Sequence, residues 1–184
     1  MSSANHKAGA APPQPVIVVE RSYRAPVEEL WALWTTKAGF ESWWTPDGCH
    51  VEVHVLEARE GGRLEYDTIA DAPEAIAAVK SLGLATSNRS RGRFEGFRPH
   101  EHLTLVHLMD FIPGVASYEH RIEVDFRPAG DRTRMVVTTH PHFSAHWTKL
   151  AVDAFNSQLA TLDRRFGWLG DDQGDSSDLN KAAS

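Results

Sequence analysis

From residue 147 onward the chain places Trp147, Leu150, Ala151, Phe155, Leu159, Leu162 and Phe166 at three- and four-residue intervals. This is one face of a helix of about six turns. Lys149, Asp153, Asp163 and Arg164 lie off that face, and Ser144 stands where an N-cap belongs. So long an apolar stripe needs a broad apolar partner, because leaving it in water costs about 25 cal/mol per Å2. The only partners the rest of the chain offers are the apolar faces of strands.

The strands announce themselves by alternation. Residues 16–24 form a β-branched run that Ala25-Pro26 stops. Pro26 suits a first helical turn, Glu28 and Glu29 follow where the helix dipole favours negative charge, and Leu30, Trp31 and Trp34 fall at helical spacing. A second short helix is expected over residues 37–43, ending at the turn Thr45-Pro46-Asp47-Gly48. Val51, Val53 and Val55 alternate with Glu52 and His54, and Leu64, Tyr66 and Thr68 with Glu65 and Asp67; Gly61-Gly62 between them makes a hairpin. Residues 71–84 break the alternation and read as a short helix, and 85–90 as a loop. Four more strands are expected at 91–97, 103–109, 118–126 and 132–140. The expected architecture is α+β: an antiparallel sheet curling over the terminal helix.

Three zones divide the 184 residues. Residues 1–14 are rich in Ala, Pro and Ser without periodicity and read as a disordered arm; residues 170–184 read as a disordered acidic tail. Between them, residues 15–169 make one domain, with 70–90 as an insertion. Asp171, Asp172, Asp175 and Asp178 against Lys181 place half of the net charge of −6 on the tail. The body is only mildly acidic and has no long basic stripe, so nucleic acid is not an expected partner. No apolar run reaches membrane-spanning length, and the N-terminus lacks the apolar stretch of a signal peptide, so the expected location is cytoplasmic. Cys49 is the single cysteine, which excludes an intrachain disulfide and a thiolate zinc site of the usual kind.

Residues 19–46 (VERSYRAPVEELWALWTTKAGFESWWTP) carry a resemblance. Ala25-Pro26, Trp34-Thr35 and Trp43-Trp44-Thr45-Pro46 resemble the opening of the superfamily that includes START domains, birch-pollen-type allergens and polyketide aromatase/cyclases. Within it the chain is most similar to homologues of the activator of the heat-shock-protein-90 ATPase. Gly61-Gly62-Arg63, Gly92 and Phe94, Pro99 with Leu103, and Trp147 extend the likeness over residues 16–166. The resemblance implies a helix-grip fold enclosing a mostly apolar cavity. The eukaryotic co-chaperones carry a further N-terminal domain, where this chain shows only the arm. The segment 70–90 is also longer than the usual connection.

Phasing the strands by their apolar residues gives an inward set: Val53, Val55, Leu64, Tyr66, Phe94, Leu105, His107, Met109, Tyr118, His120, Ile122, Met135 and Val137. An apolar set with the sparse polar members Tyr66, His107, Tyr118 and His120 is what a small-molecule site needs, although the same groups can fill a core. Trp31, Trp34 and Trp44 on the short helices, with Trp147 and Phe155 on the last, complete the candidate ligand-binding residues; packing is the alternative role for the indoles.

Three functions follow as expectations. The first is binding of a small hydrophobic or aromatic molecule between sheet and helix. The second is an aromatase/cyclase- or hydrolase-like enzyme using His107, His120, Tyr66 and Tyr118 as acid–base groups. The third, implied by the resemblance, is a chaperone ATPase co-regulator. The sequence has no G-x-S-x-G elbow, Walker loop or dinucleotide glycine fingerprint, so no cofactor is expected. His140-Pro141-His142, His146 and His100-Glu101-His102 match no closed zinc motif, and loop histidines are usually exposed, so no metal is expected either. A homodimer through a sheet edge or the short helices is compatible with the sequence.

Overall fold

The computed structural model describes residues 15–168. The arm and the acidic tail expected from the sequence lie outside them. The β-branched opening forms β1 (Ile17–Tyr23). Pro26, with φ −65°, sets the entry to α1 (Val27–Thr35), which carries Glu28 and Glu29 in its first turn and buries Leu30, Trp31, Leu33 and Trp34. Thr36 caps α2 (Lys37–Glu41), its hydroxyl accepting from Gly39 N–H at 3.0 Å. Gly39 is required there, since a Cβ would stand 2.0 Å from Ala32 O. The second helix ends at Glu41, short of the expected Trp43.

The hairpin of β2 (Cys49–Leu56) and β3 (Arg63–Ala70) holds one correction. The register shifts between Val53 and Val55, so that Val55 pairs with Glu65 and Leu56 with Leu64. An extra residue in one strand turns the following side chains over. Leu56, not Val55, is thereby the residue packed against the core.

The helix expected over 71–84 is α3 (Pro73–Ser81), which buries none of its residues. The loop expected at 85–90 is overturned: β4 (Ser87–Arg98) starts at Ser87 and pairs with β3 from Ile69 onward. Arg89 points outward and pairs with Asp67 across the ladder.

β5 (His102–Met109), β6 (Tyr118–Ala129) and β7 (Arg132–Thr139) complete an open antiparallel sheet in the order β1-β7-β6-β5-β4-β3-β2. α4 (Ala145–Phe166) follows the stripe read from the sequence. Ser144 caps it, accepting from Trp147 N–H at 3.3 Å, and Gly167 ends it at φ 68°. Replacing Ser144 with alanine is expected to cost about 1 kcal/mol of stability, read as a lower midpoint in urea with an unchanged slope.

α4 meets the sheet unequally along its length. Its C-terminal half buries Leu159, Leu162 and Phe166 against the sheet. Tyr23 donates its hydroxyl to Asp163 Oδ1 at 2.8 Å, and Arg21 lies 3.4 Å from the same oxygen, which fixes this end of the helix to β1. The N-terminal half presents Ala151 and Ala154 instead, and the space between helix and sheet there is left open.

Candidate functional site

The open space is a cavity of about 240 Å3. Val19, Ile122, Val137 and Met109 from the strands and Ala151 and Phe155 from α4 form its apolar walls. An apolar cavity of about 150 Å3 holds a benzene ring, so this one has room for about ten non-hydrogen atoms. None of the side chains lining it is Asp, Glu, Lys or Arg.

Its polar groups come from cross-strand register. His107 on β5 pairs directly opposite His120 on β6, and Met109 opposite Tyr118. Trp44, beyond α2, donates Nε1–H to the Tyr66 hydroxyl at 2.9 Å. That hydroxyl in turn lies 3.2 Å from His107 Nε2, within hydrogen-bond distance. The Trp44 and His107 rings lie within 15° of parallel, 5.9 Å apart.

His120 donates Nε2–H to the carbonyl of His140 at 2.8 Å, with Thr139 Oγ1 3.2 Å from the same nitrogen. Its ring stacks on His142 at 4.0 Å and 7°. His142 Nδ1 lies 2.7 Å from the Tyr118 hydroxyl. Its backbone N–H donates to Thr148 Oγ1, and the Thr148 hydroxyl donates to Ser144 O, so the turn before α4 is tied to the first turn of the helix.

These imidazoles are uncharged at neutral pH. Burial, with His120 nearby, lowers the His107 pKa to about 3. Burial and His120 likewise bring His142 to about 4. Burial also lowers His120, against the opposing effect of its bond to the His140 carbonyl. The physical cause is common to all three: an imidazolium here would lose its water and find no carboxylate partner in the wall.

Of the residues expected to bind ligand, Trp44, Tyr66, His107, Met109, His120 and Phe155 line the cavity. The other six do not. Trp31 packs on Phe97, His100 and Phe126 in the filled part of the core. Trp34 is fully buried against Trp43 and Trp44, and Phe94 against Phe97. Met135 is buried in the same core. Tyr118 reaches the site through its hydrogen bond to His142, and Trp147 packs on Phe143, which is 47% exposed.

Ala151, Ala154 and His142 were not singled out from the sequence as site residues. The two alanines carry a signal, being small on a helix whose inward positions are otherwise large. His142 was expected to be exposed as a loop residue; it is 8% exposed, held in by its stack on His120 and its tie to Thr148. No residue between Ala70 and Ser87 lines the cavity, so the long 70–90 segment leaves the wall unchanged until Ser90.

A sheet and a long terminal helix enclosing a cavity define the helix-grip class. The model of the family described as Activator of Hsp90 ATPase homolog 1-like protein matches residues 24–167. The chain belongs to that family. Solved structures similar to it include a protein from Chromobacterium violaceum, with 15% identity, a TM-score of 0.64, and coverage of 83% of this chain and 98% of that one. An AHSA1 protein from Silicibacter pomeroyi matches at 16% identity and TM-score 0.62, over 82% and 96% of the two chains. A protein from Arthrobacter aurescens matches at 18% and 0.64, over 80% and 83%. At these identities the likeness is one of fold. No curated protein matches the sequence. No helix among the described residues is long and apolar enough to cross a membrane.

Proposed function

We propose that the protein binds a small hydrophobic or aromatic molecule in the cavity between the sheet and α4. The observation that carries this reading is the cavity of about 240 Å3, walled by apolar and ring side chains with a few hydrogen-bonded polar groups. That combination holds a ligand by burial and orients it by one or two polar contacts. Its size favours one or two fused rings over a long acyl chain.

Native mass spectrometry of the protein purified from its own host tests the reading. A co-purified apolar molecule at one per chain is the expected result. A protein that purifies empty, and whose tryptophan fluorescence answers to no uncharged aromatic probe, would overturn the reading and direct attention to partner proteins.

The Tyr118–His142 hydrogen bond favours a second reading, an acid–base enzyme on the same fold. Against it stands the His107 pKa of about 3, far from the value a general base needs at pH 7. If the host ligand is altered by the native protein and not by Tyr118→Phe, the enzyme reading replaces the binding one.

A further inference from the structure

Among the described residues, the hydrogen bonds around the cavity leave one nitrogen on each of two cross-strand imidazoles, His107 and His120, without a partner. His120 Nε2 donates to a backbone carbonyl, which can only accept, so Nε2 carries the proton and Nδ1 carries a bare lone pair. The Tyr66 hydroxyl accepts from Trp44 Nε1–H and lies 3.2 Å from His107 Nε2; with its own proton given to that nitrogen, the neutral His107 ring carries its proton on Nδ1. Neither Nδ1 has a hydrogen-bond partner among the described residues, and neither is among the fully buried unpaired atoms. Both rings line the cavity and are otherwise buried, so these nitrogens open onto it.

The two residues are direct cross-strand neighbours on one face of the sheet. Such a pair brings its side chains within reach of a common atom. A donor and an acceptor presented together match a hydroxyl, which accepts with its oxygen and donates with its hydrogen. The wall carries no cation to receive an anion and no carboxylate to receive a cation. A charged ligand would therefore be desolvated without compensation.

We propose that the cavity takes an uncharged hydroxylated aromatic molecule of one or two fused rings, its hydroxyl donating to His120 Nδ1 and accepting from His107 Nδ1–H. This rests on the ligand-binding reading above and adds the ligand's charge and its polar group. The ring lies against the walls of Phe155, Val137 and Ile122, while the stacked His142 holds His120 in place.

The test compares 2-naphthol, naphthalene and 2-naphthoate at pH 7 by quenching of tryptophan fluorescence, in the native protein and in His120→Phe. The phenyl ring keeps a flat face for the stack on His142 and removes the Nδ1 acceptor, together with the Nε2–H bond to the His140 carbonyl. In the native protein 2-naphthol is expected to bind about thirtyfold more tightly than naphthalene, the net worth of two hydrogen bonds. The naphthoate is expected to bind on the order of a hundredfold more weakly than 2-naphthol. In His120→Phe that advantage is expected to fall about fivefold, to the worth of the one bond left to His107 Nδ1–H, with naphthalene binding still measurable. Naphthoate binding as tightly as 2-naphthol would overturn the proposal. So would a 2-naphthol preference that survives undiminished in His120→Phe. Naphthalene binding with no gain for 2-naphthol sinks this inference alone, whereas failure of all three probes sinks the ligand-binding reading with it. Should His120→Phe not fold, the ranking in the native protein decides.

Discussion

Replacing Ala151 with tryptophan is expected to lower the affinity for naphthalene by at least about a hundredfold and to leave the fold intact. Ala151 lines the cavity from the middle of α4, where its small side chain leaves the space open. An indole at this position takes up the volume that a ring ligand needs. Tryptophan costs a helix only a few tenths of a kcal/mol more than most residues. Filling a void also adds contacts where the wall now has none. The melting temperature is therefore expected to stay within a few degrees of the native value. Asn156→Trp, on the exposed side of the same helix, is the control, with unchanged binding. Equal affinity in native protein and Ala151→Trp would mean that naphthalene binds elsewhere.

Acid is expected to destabilise the protein well before its carboxylates titrate. His107 and His142 have folded-state pKa values of about 3 and about 4, against an ordinary 6.5. The unfolded chain therefore takes up these protons first as pH falls. The stability is complete above pH 6.5 and is lost progressively toward the folded values. Each such proton costs about 1.4 kcal/mol per pH unit, so His107 alone removes about 3 kcal/mol by pH 4. Asp67, held down to about 2 by Arg89, has an ordinary value of 3.8 and contributes its loss only at lower pH. His50 has the opposite sign: Asp71 raises its pKa, so its effect is lost as pH rises above the ordinary value. Urea denaturation at pH 7, 6, 5 and 4 measures the slope. His107→Phe should reduce it by nearly one proton between pH 6 and 4. A slope unchanged by that substitution would mean that His107 is not buried neutral.

The pattern of α4 and the alternation of the strands were enough to place the sheet against the helix, because both are periodic and local. Alternation also put Tyr66, His107, Met109 and His120 on the face that lines the cavity, and the α4 stripe did the same for Phe155. It could not show where space is left, since a filled core and a hollow one share the same inward face. Phe94 and Met135 point inward as phased, yet they sit in the filled part of the core, Phe94 against Phe97, which packs on Trp31. The start of β4 was missed for a related reason. Ser90 faces the cavity rather than a packed core, and Arg89 is matched outward by Asp67, so no apolar alternation marks the strand. The burial of His142 depends on Tyr118, His120 and Thr148, which only the fold brings to it.

The central claim is that the space between α4 and the sheet receives a small aromatic molecule. Its most direct test is an NMR titration of the isotopically labelled protein with 2-naphthol at pH 7. The account predicts saturable shifts at the Trp44 indole N–H, at the ring protons of His107 and His120, and at the backbone of Ala151, with none at α3. If 2-naphthol reaches its solubility limit with these signals unmoved, or moves the α3 signals instead, the cavity is not a binding site for such a ligand and the account is contradicted.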